Sequence, residues 1–313
     1  MKDRPEGLAE SAVRDALGAW GIDAVPLQYA PVGFGDYHWI AGERQWFVTV
    51  ADIGEGFAGL RSAMDTAWAL RGLEFVVAPL RTVHGETVRR LGERYAISVF
   101  PFVDGDSGEF GQVLAAEQRI LVLDMLAELH RTAPPSSTPV LRPEFPGRDD
   151  LEQALRESDR PWTGGPFSEP ARALLAEHLT GLRGRLEEFD RRATELRGKG
   201  HEPVLTHGEP HPGNLLWTPE RCLLIDWDTN GLAVPERDLW LVTQDPDELA
   251  RYADATGRKP DPSALAFYGL RWDLNDVAEF ADWFRSPHER TADLEQALDG
   301  LADILRRLAG DTE

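Results

Sequence analysis

Leu205-Thr206-His207-Gly208-Glu209-Pro210-His211-Pro212-Gly213-Asn214-Leu215-Leu216, followed by Leu223-Leu224-Ile225-Asp226-Trp227-Asp228, is the stretch on which the reading of this chain turns. Short apolar runs flank a segment bent by Pro210, Pro212 and Gly213, the pattern of strand, tight turn and strand. The turn carries a carboxylate, Glu209, and an amide, Asn214, and the following strand delivers a second carboxylate, Asp226. Acids and an amide oxygen converging at strand ends suit a hard cation held by oxygen ligands, above all Mg²⁺ bridging phosphates. The acid not used by the cation is free to orient a hydroxyl and accept its proton. A histidine and an acid beside proline and glycine also cap ordinary turns. The spacing to Asn214 and Asp226 favours the chemical reading.

Upstream, the first hundred residues alternate helix and strand. Val13, Leu17 and Trp20 at i, i+4 and i+7 predict a helix over 8–20, ended by Gly21. Strands are predicted over 28–32, 37–40 and 45–51, with Gly33-Phe34-Gly35-Asp36 between the first two. A helix over 57–70 and short strands over 75–77 and 97–100 follow. Downstream, Val122, Met125, Leu126 and Leu129 mark one face of a helix over 113–130, and 134–148 reads as a Pro- and Ser-rich loop. Helices are predicted over 149–158 and 169–196, a β segment over 203–228, and a helical tail with Leu294, Leu298, Leu301, Leu305 and Leu308 on one stripe. The expected fold class is α+β, with a small β-rich lobe over 1–103 and a larger, mostly helical lobe over 104–313, hinged near 100–104.

Composition narrows the class. A chain of 313 residues is longer than most single cores. Its one cysteine, Cys222, fits a reducing cytoplasm, and no apolar run reaches the roughly 20 residues of a membrane span. Residues 1–10 lack the apolar core of a signal peptide. The net charge of −21, from 54 acids and 33 bases, disfavours nucleic acid as a partner. That charge serves solubility or draws a cationic small molecule. Lysine occurs only at 2, 199 and 259.

The acid-x-x-x-x-Asn spacing of Glu209 and Asn214, with Asp226 after it, is that of a kinase catalytic loop and its metal-binding Asp. His207-Gly208-Glu209 through Asn214, with Ile225-Asp226-Trp227-Asp228, resembles the aminoglycoside phosphotransferase family, whose pattern is HGDxxxxN followed by IDW-D/E. Ala233 to Leu239 and Asn275-Asp276-Val277-Ala278 resemble the spectinomycin phosphotransferase branch. The resemblance implies a bilobal protein-kinase-like fold and O-phosphotransfer from ATP or GTP with Mg²⁺. It places Glu209 as catalytic base, Asn214 and Asp226 as Mg²⁺ ligands, and Asp238 as a structural acid. Gly33 and Gly35 fall in the nucleotide-covering loop, and Pro101, Phe102 and Val103 at the hinge that holds the base. Taken alone, those two segments also read as a plain turn and a buried strand end. The implied acceptor is a small polar natural product, cationic ones such as aminoglycosides or aminocyclitols included, and the implied consequence is antibiotic resistance.

Two positions depart from the family. Glu209 replaces its aspartate, moving the carboxylate by about 1.5 Å, one carbon–carbon bond. Thr49 stands where the nucleotide-facing strand carries a lysine, and no lysine lies between residues 3 and 198. Arg44, Arg61 and Arg71 are candidate replacements, and Asp65 is the candidate for the acid that pairs with that lysine. These departures also support a catalytically impaired pseudokinase that binds a nucleotide or metabolite in a regulatory role. For the acceptor, Asp273, Asp276 and Glu279 recur every third residue and, with Asp228, would make an anionic wall. The same run also reads as a solvated helix face. Trp272 and Trp283 line that pocket or fill the core.

Overall fold

The structure is a computed structural model that describes residues 1–54, 56–200 and 202–310. After α1 (Glu10–Leu17) come β1 (Leu27–Ala30), β2 (Tyr37–Ala41) and β3 (Trp46–Asp52), α2 (Phe57–Ala69), β4 (Val88–Leu91) and β5 (Tyr95–Pro101). The five strands form one antiparallel sheet in the order β1-β2-β3-β5-β4. Alternation along the strands sorts its faces. Trp39, Ala41, Val48, Val50, Ile97 and Val99 pack with Val13 and Leu17 of α1. Phe47, Ala96 and Phe100 face the other way, towards Met64 and Leu60 of α2 and towards Leu216, Leu223 and Ile225. Thr49, between Val48 and Val50, shares this second face.

After β5 come β6 (Asp106–Ser107), α3 (Ala116–Arg131), α4 (Arg148–Arg156), α5 (Ser168–Glu177) and α6 (Leu179–Gly198). The segment that opened the sequence argument is β7 (Val204–Thr206), a 3₁₀ turn (Pro212–Asn214), β8 (Leu215–Trp217) and β9 (Cys222–Leu224), with β10 (Gly231–Ala233) after it. Here β6, β8 and β9 form one small sheet and β7 and β10 another. The chain ends in α7 (Glu236–Val242), α8 (Pro246–Thr256), α9 (Pro262–Arg285) and α10 (Ala292–Ala309). This is the expected protein-kinase-like fold, a β-rich N-terminal lobe (β1–β6) and a larger, mostly helical C-terminal lobe (α3–α10).

By contact density the chain divides into two compact units. One joins Met1–Leu141 to Pro203–Pro260; the other joins Arg142–Glu202 to the chain from Asp261 onward. The first contains the sheet, α3, α7, α8 and every residue of the quoted segment. The second is a helical assembly of α4, α5, α6, α9 and α10.

Two expectations need correction, and one strand was not foreseen. Residues 75–77 are not a strand: they touch Leu224 through a single bridge, Leu224 N–H to the Phe75 carbonyl (2.7 Å) and Val77 N–H to the Leu224 carbonyl (3.1 Å). The strand that pairs with β5 at this edge is Val88–Leu91, whose Arg89 and Arg90 mask the usual apolar alternation. The helix predicted over 169–196 is two helices, broken at His178, and buried Leu175 and Leu182 keep a helical spacing across the break that hides it in the sequence.

Candidate active site

The segment from His207 to Asn214 is held by buried side chains. Asp238, fully buried in α7, accepts hydrogen bonds from the backbone N–H of His207 (2.8 Å) and Gly208 (2.6 Å). It is also hydrogen-bonded to His130 Nε2 (3.0 Å), whose Nδ1 is hydrogen-bonded to the Tyr252 hydroxyl (2.7 Å). Burial alone would raise the Asp238 pKa, but the hydrogen bond and charge of His130, with Arg237 beside it, hold it below the usual carboxylate range. Gly208 sits at φ +107, and a Cβ there would lie 2.3 Å from the Arg237 guanidinium. That guanidinium is pinned by the Thr206 hydroxyl and the Thr229 carbonyl, so both backbone and space demand glycine.

His207 ties the loop to the strand that follows. Its Nε2–H donates to the Ile225 carbonyl (2.9 Å), which leaves Nδ1 to accept the Glu209 N–H (3.2 Å). Burial pushes His207 down to about 4, so the ring is neutral and keeps this tautomer. Asn214 is fixed likewise: its Nδ2–H donates to the Glu209 carbonyl (3.0 Å), and its own carbonyl accepts the Ile225 N–H (3.1 Å). The amide oxygen of Asn214 is thereby turned away from the loop carbonyl. Beyond Ile225 the chain kinks at Asp226, a non-glycine residue at φ +63. The kink sends Trp227 into the core, where its indole N–H meets the Leu224 carbonyl (2.9 Å), and leaves Asp226 open to solvent.

Four carboxylates gather here: Asp226, Asp228, Glu209 and Asp36 of the β1–β2 loop. Asp226 keeps its contact with solvent. Protein packed around it, then Asp228, Glu209 and Asp36, still push its pKa well above the ordinary range, a direction the three neighbouring charges alone would give. Asp228, also raised by burial, shares a hydrogen bond with Asp226 and accepts the N–H of Thr229. Asp36 was quoted in the sequence only as part of the loop. It is the site residue that sequence reasoning missed, because its role exists only once the hairpin has folded over Asp228.

The donor set fits a hard divalent cation. An amide oxygen and a carboxylate oxygen lie on adjacent backbone segments, among acids that repel one another without a counter-charge. Among the described residues no three His, Cys, Asp or Glu side chains are grouped to hold a metal by themselves. Two protein ligands with the remainder from phosphates and water is the Mg²⁺ habit.

Burial, then Asp228, pushes Asp36 up to about 8 from the ordinary 3.8. The folded protein therefore holds a proton that the unfolded chain releases, so this carboxyl is harmless below about pH 4 and destabilising as the pH rises towards 8. Asp36→Asn is expected to stabilise the metal-free protein, with a gain in melting temperature that is larger at pH 8 than at pH 5. An equal gain at both would contradict the clustering.

The other expected positions are placed as follows. Gly33 and Gly35 lie in the β1–β2 turn at φ +71 and +105. Pro101 ends β5, and the Phe102 N–H donates to the Gln45 carbonyl (2.9 Å), with Val103 next along the chain. Thr49 meets His38 across the β2–β3 pair (3.2 Å). Asp65 accepts from the Thr87 hydroxyl (2.8 Å) and stands 3.9 Å from Arg61. Arg44 pairs with Asp104 over the Phe102 ring, and Arg71 lies over Trp68. Among the described residues none of the three arginines hydrogen-bonds Thr49, whose hydroxyl meets His38. In the second unit, Asp273 is bound by Arg307 (2.6 Å), and Asp276 lies one turn further along α9. Beside them, Asp150, Asn275, Glu279 and Asp282 line a cleft of about 350 Å³, where burial and Asp282 raise the Glu279 pKa.

The comparisons agree with this fold. The phosphotransferase enzyme family matches residues 30–268. Protein StrN of Streptomyces griseus is 32% identical over 281 residues, 85% of this chain and 82% of that protein. Among solved structures, a spectinomycin phosphotransferase in complex with ADP and spectinomycin superposes with a TM-score of 0.74 at 17% identity, covering 97% of this chain and 98% of that one. A microcompartment-associated aminopropanol kinase gives 0.64 at 18%, with the same coverage. At those identities the two structures speak for the fold. No helix among the described residues is long and apolar enough to cross a membrane.

Proposed function

The chain belongs to the aminoglycoside phosphotransferase family, the phosphotransferase enzyme family, and on that premise we propose that it is an ATP- or GTP-dependent, Mg²⁺-dependent O-phosphotransferase. The acceptor would be a hydroxyl of a small polar natural product, with aminoglycosides and aminocyclitols the leading classes, and the outcome antibiotic resistance. One observation carries the proposal. Glu209, Asn214 and Asp226 are locked into one frame by His207 and Asp238, in the order and spacing phosphoryl transfer requires.

In this reading Asn214 Oδ1 and Asp226 hold Mg²⁺, which when bound neutralises the phosphate charge. Glu209 orients the acceptor hydroxyl and takes its proton. Asp238 and His207 keep the Glu209 backbone in place, so the carboxylate need not be reorganised during transfer. Gly33 and Gly35 let the loop backbone approach the phosphates, and Pro101, Phe102 and Val103 flank the base. Asp228, Asp273 and Asp276 are the proposed acceptor residues. Transfer of γ-phosphate from ATP and GTP to a panel of aminoglycosides, aminocyclitols, sugars and amino alcohols tests this reading. Phosphorylation of one member supports it, and none across the panel overturns it.

A pseudokinase is the second reading. The observation favouring it is Thr49 in the lysine position, with Asp65 engaged by Thr87 instead of by a lysine. It requires nucleotide or metabolite binding with no turnover.

A further inference from the structure

We propose that His38, oriented by Thr49, is the hydrogen-bond donor to the nucleotide phosphates in the place where a lysine is missing. This inference rests on the phosphotransfer reading above. The β2–β3 register puts His38 opposite Thr49, and a pair directly opposite in an antiparallel sheet shares one face. That is the face of Phe47 and Phe100, opposite the α1 core. His38 Nδ1 lies 3.2 Å from the Thr49 hydroxyl, and the imidazole rests on the Phe47 ring at 5.0 Å and 31°. The other nitrogen reaches the underside of the β1–β2 turn, for a Cβ placed on Gly33 would stand 3.2 Å from Nε2. Among the described residues, Nε2 makes no hydrogen bond.

The chemistry suits a phosphate. Burial pushes His38 down to about 3, so the ring is neutral and carries one proton. A hydroxyl that donates to Nδ1 places that proton on Nε2, facing the glycine turn. A neutral donor also suits the surroundings. Asp65 is already engaged by Thr87 and, among the described residues, no acid hydrogen-bonds Thr49, so a cation on this strand would lack the partner it has in the family. Charge neutralisation then falls to Mg²⁺ on the carboxylate side, and His38 contributes direction instead of charge.

The test titrates Mg·ATP, Mg·GTP, adenosine and guanosine into the wild type, His38→Phe, His38→Gln and Thr49→Val. Phenylalanine keeps the packing on Phe47 and removes the donor. Its affinity for the Mg·nucleotide should fall roughly 10- to 100-fold, the weight of a hydrogen bond to a charged group. Nucleoside affinity should stay within about twofold, since no phosphate is involved. Glutamine, whose amide nitrogen is as many bonds from Cβ as Nε2, should restore most of the loss. In Thr49→Val, the ¹⁵N shifts of His38 should lose the Nε2–H tautomer preference that the wild type is expected to show. Equal losses for nucleotide and nucleoside would reduce His38 to packing and overturn the proposal, as would a His38→Phe variant that binds Mg·nucleotide like the wild type. A wild type that binds neither nucleotide brings down the phosphotransfer reading itself, and the donor role with it.

Discussion

Glu209→Ala is expected to lower the rate of phosphoryl transfer by a factor of roughly 10²–10⁴, the usual contribution of a positioned general base. The affinity for Mg·nucleotide should change by less than about threefold, because the Asn214 and His207 contacts to residue 209 are made by its backbone, which alanine retains. The loss should therefore appear in kcat and not in the nucleotide KM. Glu209→Asp probes the departure from the family. The loop frame around residue 209 is fixed by hydrogen bonds on both sides, so shortening the side chain by about 1.5 Å cannot be absorbed by the backbone. If the acceptor is seated for a glutamate, the aspartate variant should be slower by about a hundredfold. A faster aspartate variant would mean the native residue impairs catalysis, and unchanged turnover in Glu209→Ala would remove residue 209 from the role of base.

Asp238→Ala should cost about 3–5 kcal/mol of stability, the range for deleting one partner of a buried, hydrogen-bonded charge. Two backbone N–H groups, of His207 and Gly208, would lose their acceptor, and His130 Nε2 would lose its partner in a site with no solvent. The carboxylate is held below its ordinary pKa. Its stabilisation is therefore present above the unfolded value near 3.8 and is lost as the pH falls through the folded one. Denaturant midpoints at pH 7 measure the effect. Asp238→Asn should fall between the two proteins, because one amide oxygen can still accept from the loop. A variant as stable as the wild type would show that the loop frame does not depend on this residue.

What the sequence revealed and what it concealed follow from how local each interaction is. The convergence of Glu209, Asn214 and Asp226 was legible because one turn and one strand carry them, so spacing alone brings them together. The sheet was legible through alternation at Trp39, Ala41, Val48 and Val50, and the break at His178 was not, since the buried stripe runs through it. Asp36 and His38 acquire meaning only when the β1–β2 hairpin folds, one against Asp228 and the other opposite Thr49. Likewise the Asp273 carboxylate meets Arg307, 34 residues away, a pairing that no local pattern announces.

The central claim is that Asn214 and Asp226 hold the cation through which a nucleotide binds. Calorimetric titration of ATP and GTP, with and without Mg²⁺, into the wild type and Asp226→Ala tests it most directly. The variant removes one member of a self-repelling acid cluster, so it should fold at least as stably as the wild type, which a parallel melting curve verifies. The account predicts tight binding of one nucleotide by the wild type only when Mg²⁺ is present, and loss of that binding in Asp226→Ala. Binding that ignores Mg²⁺, or survives in the variant, would contradict it.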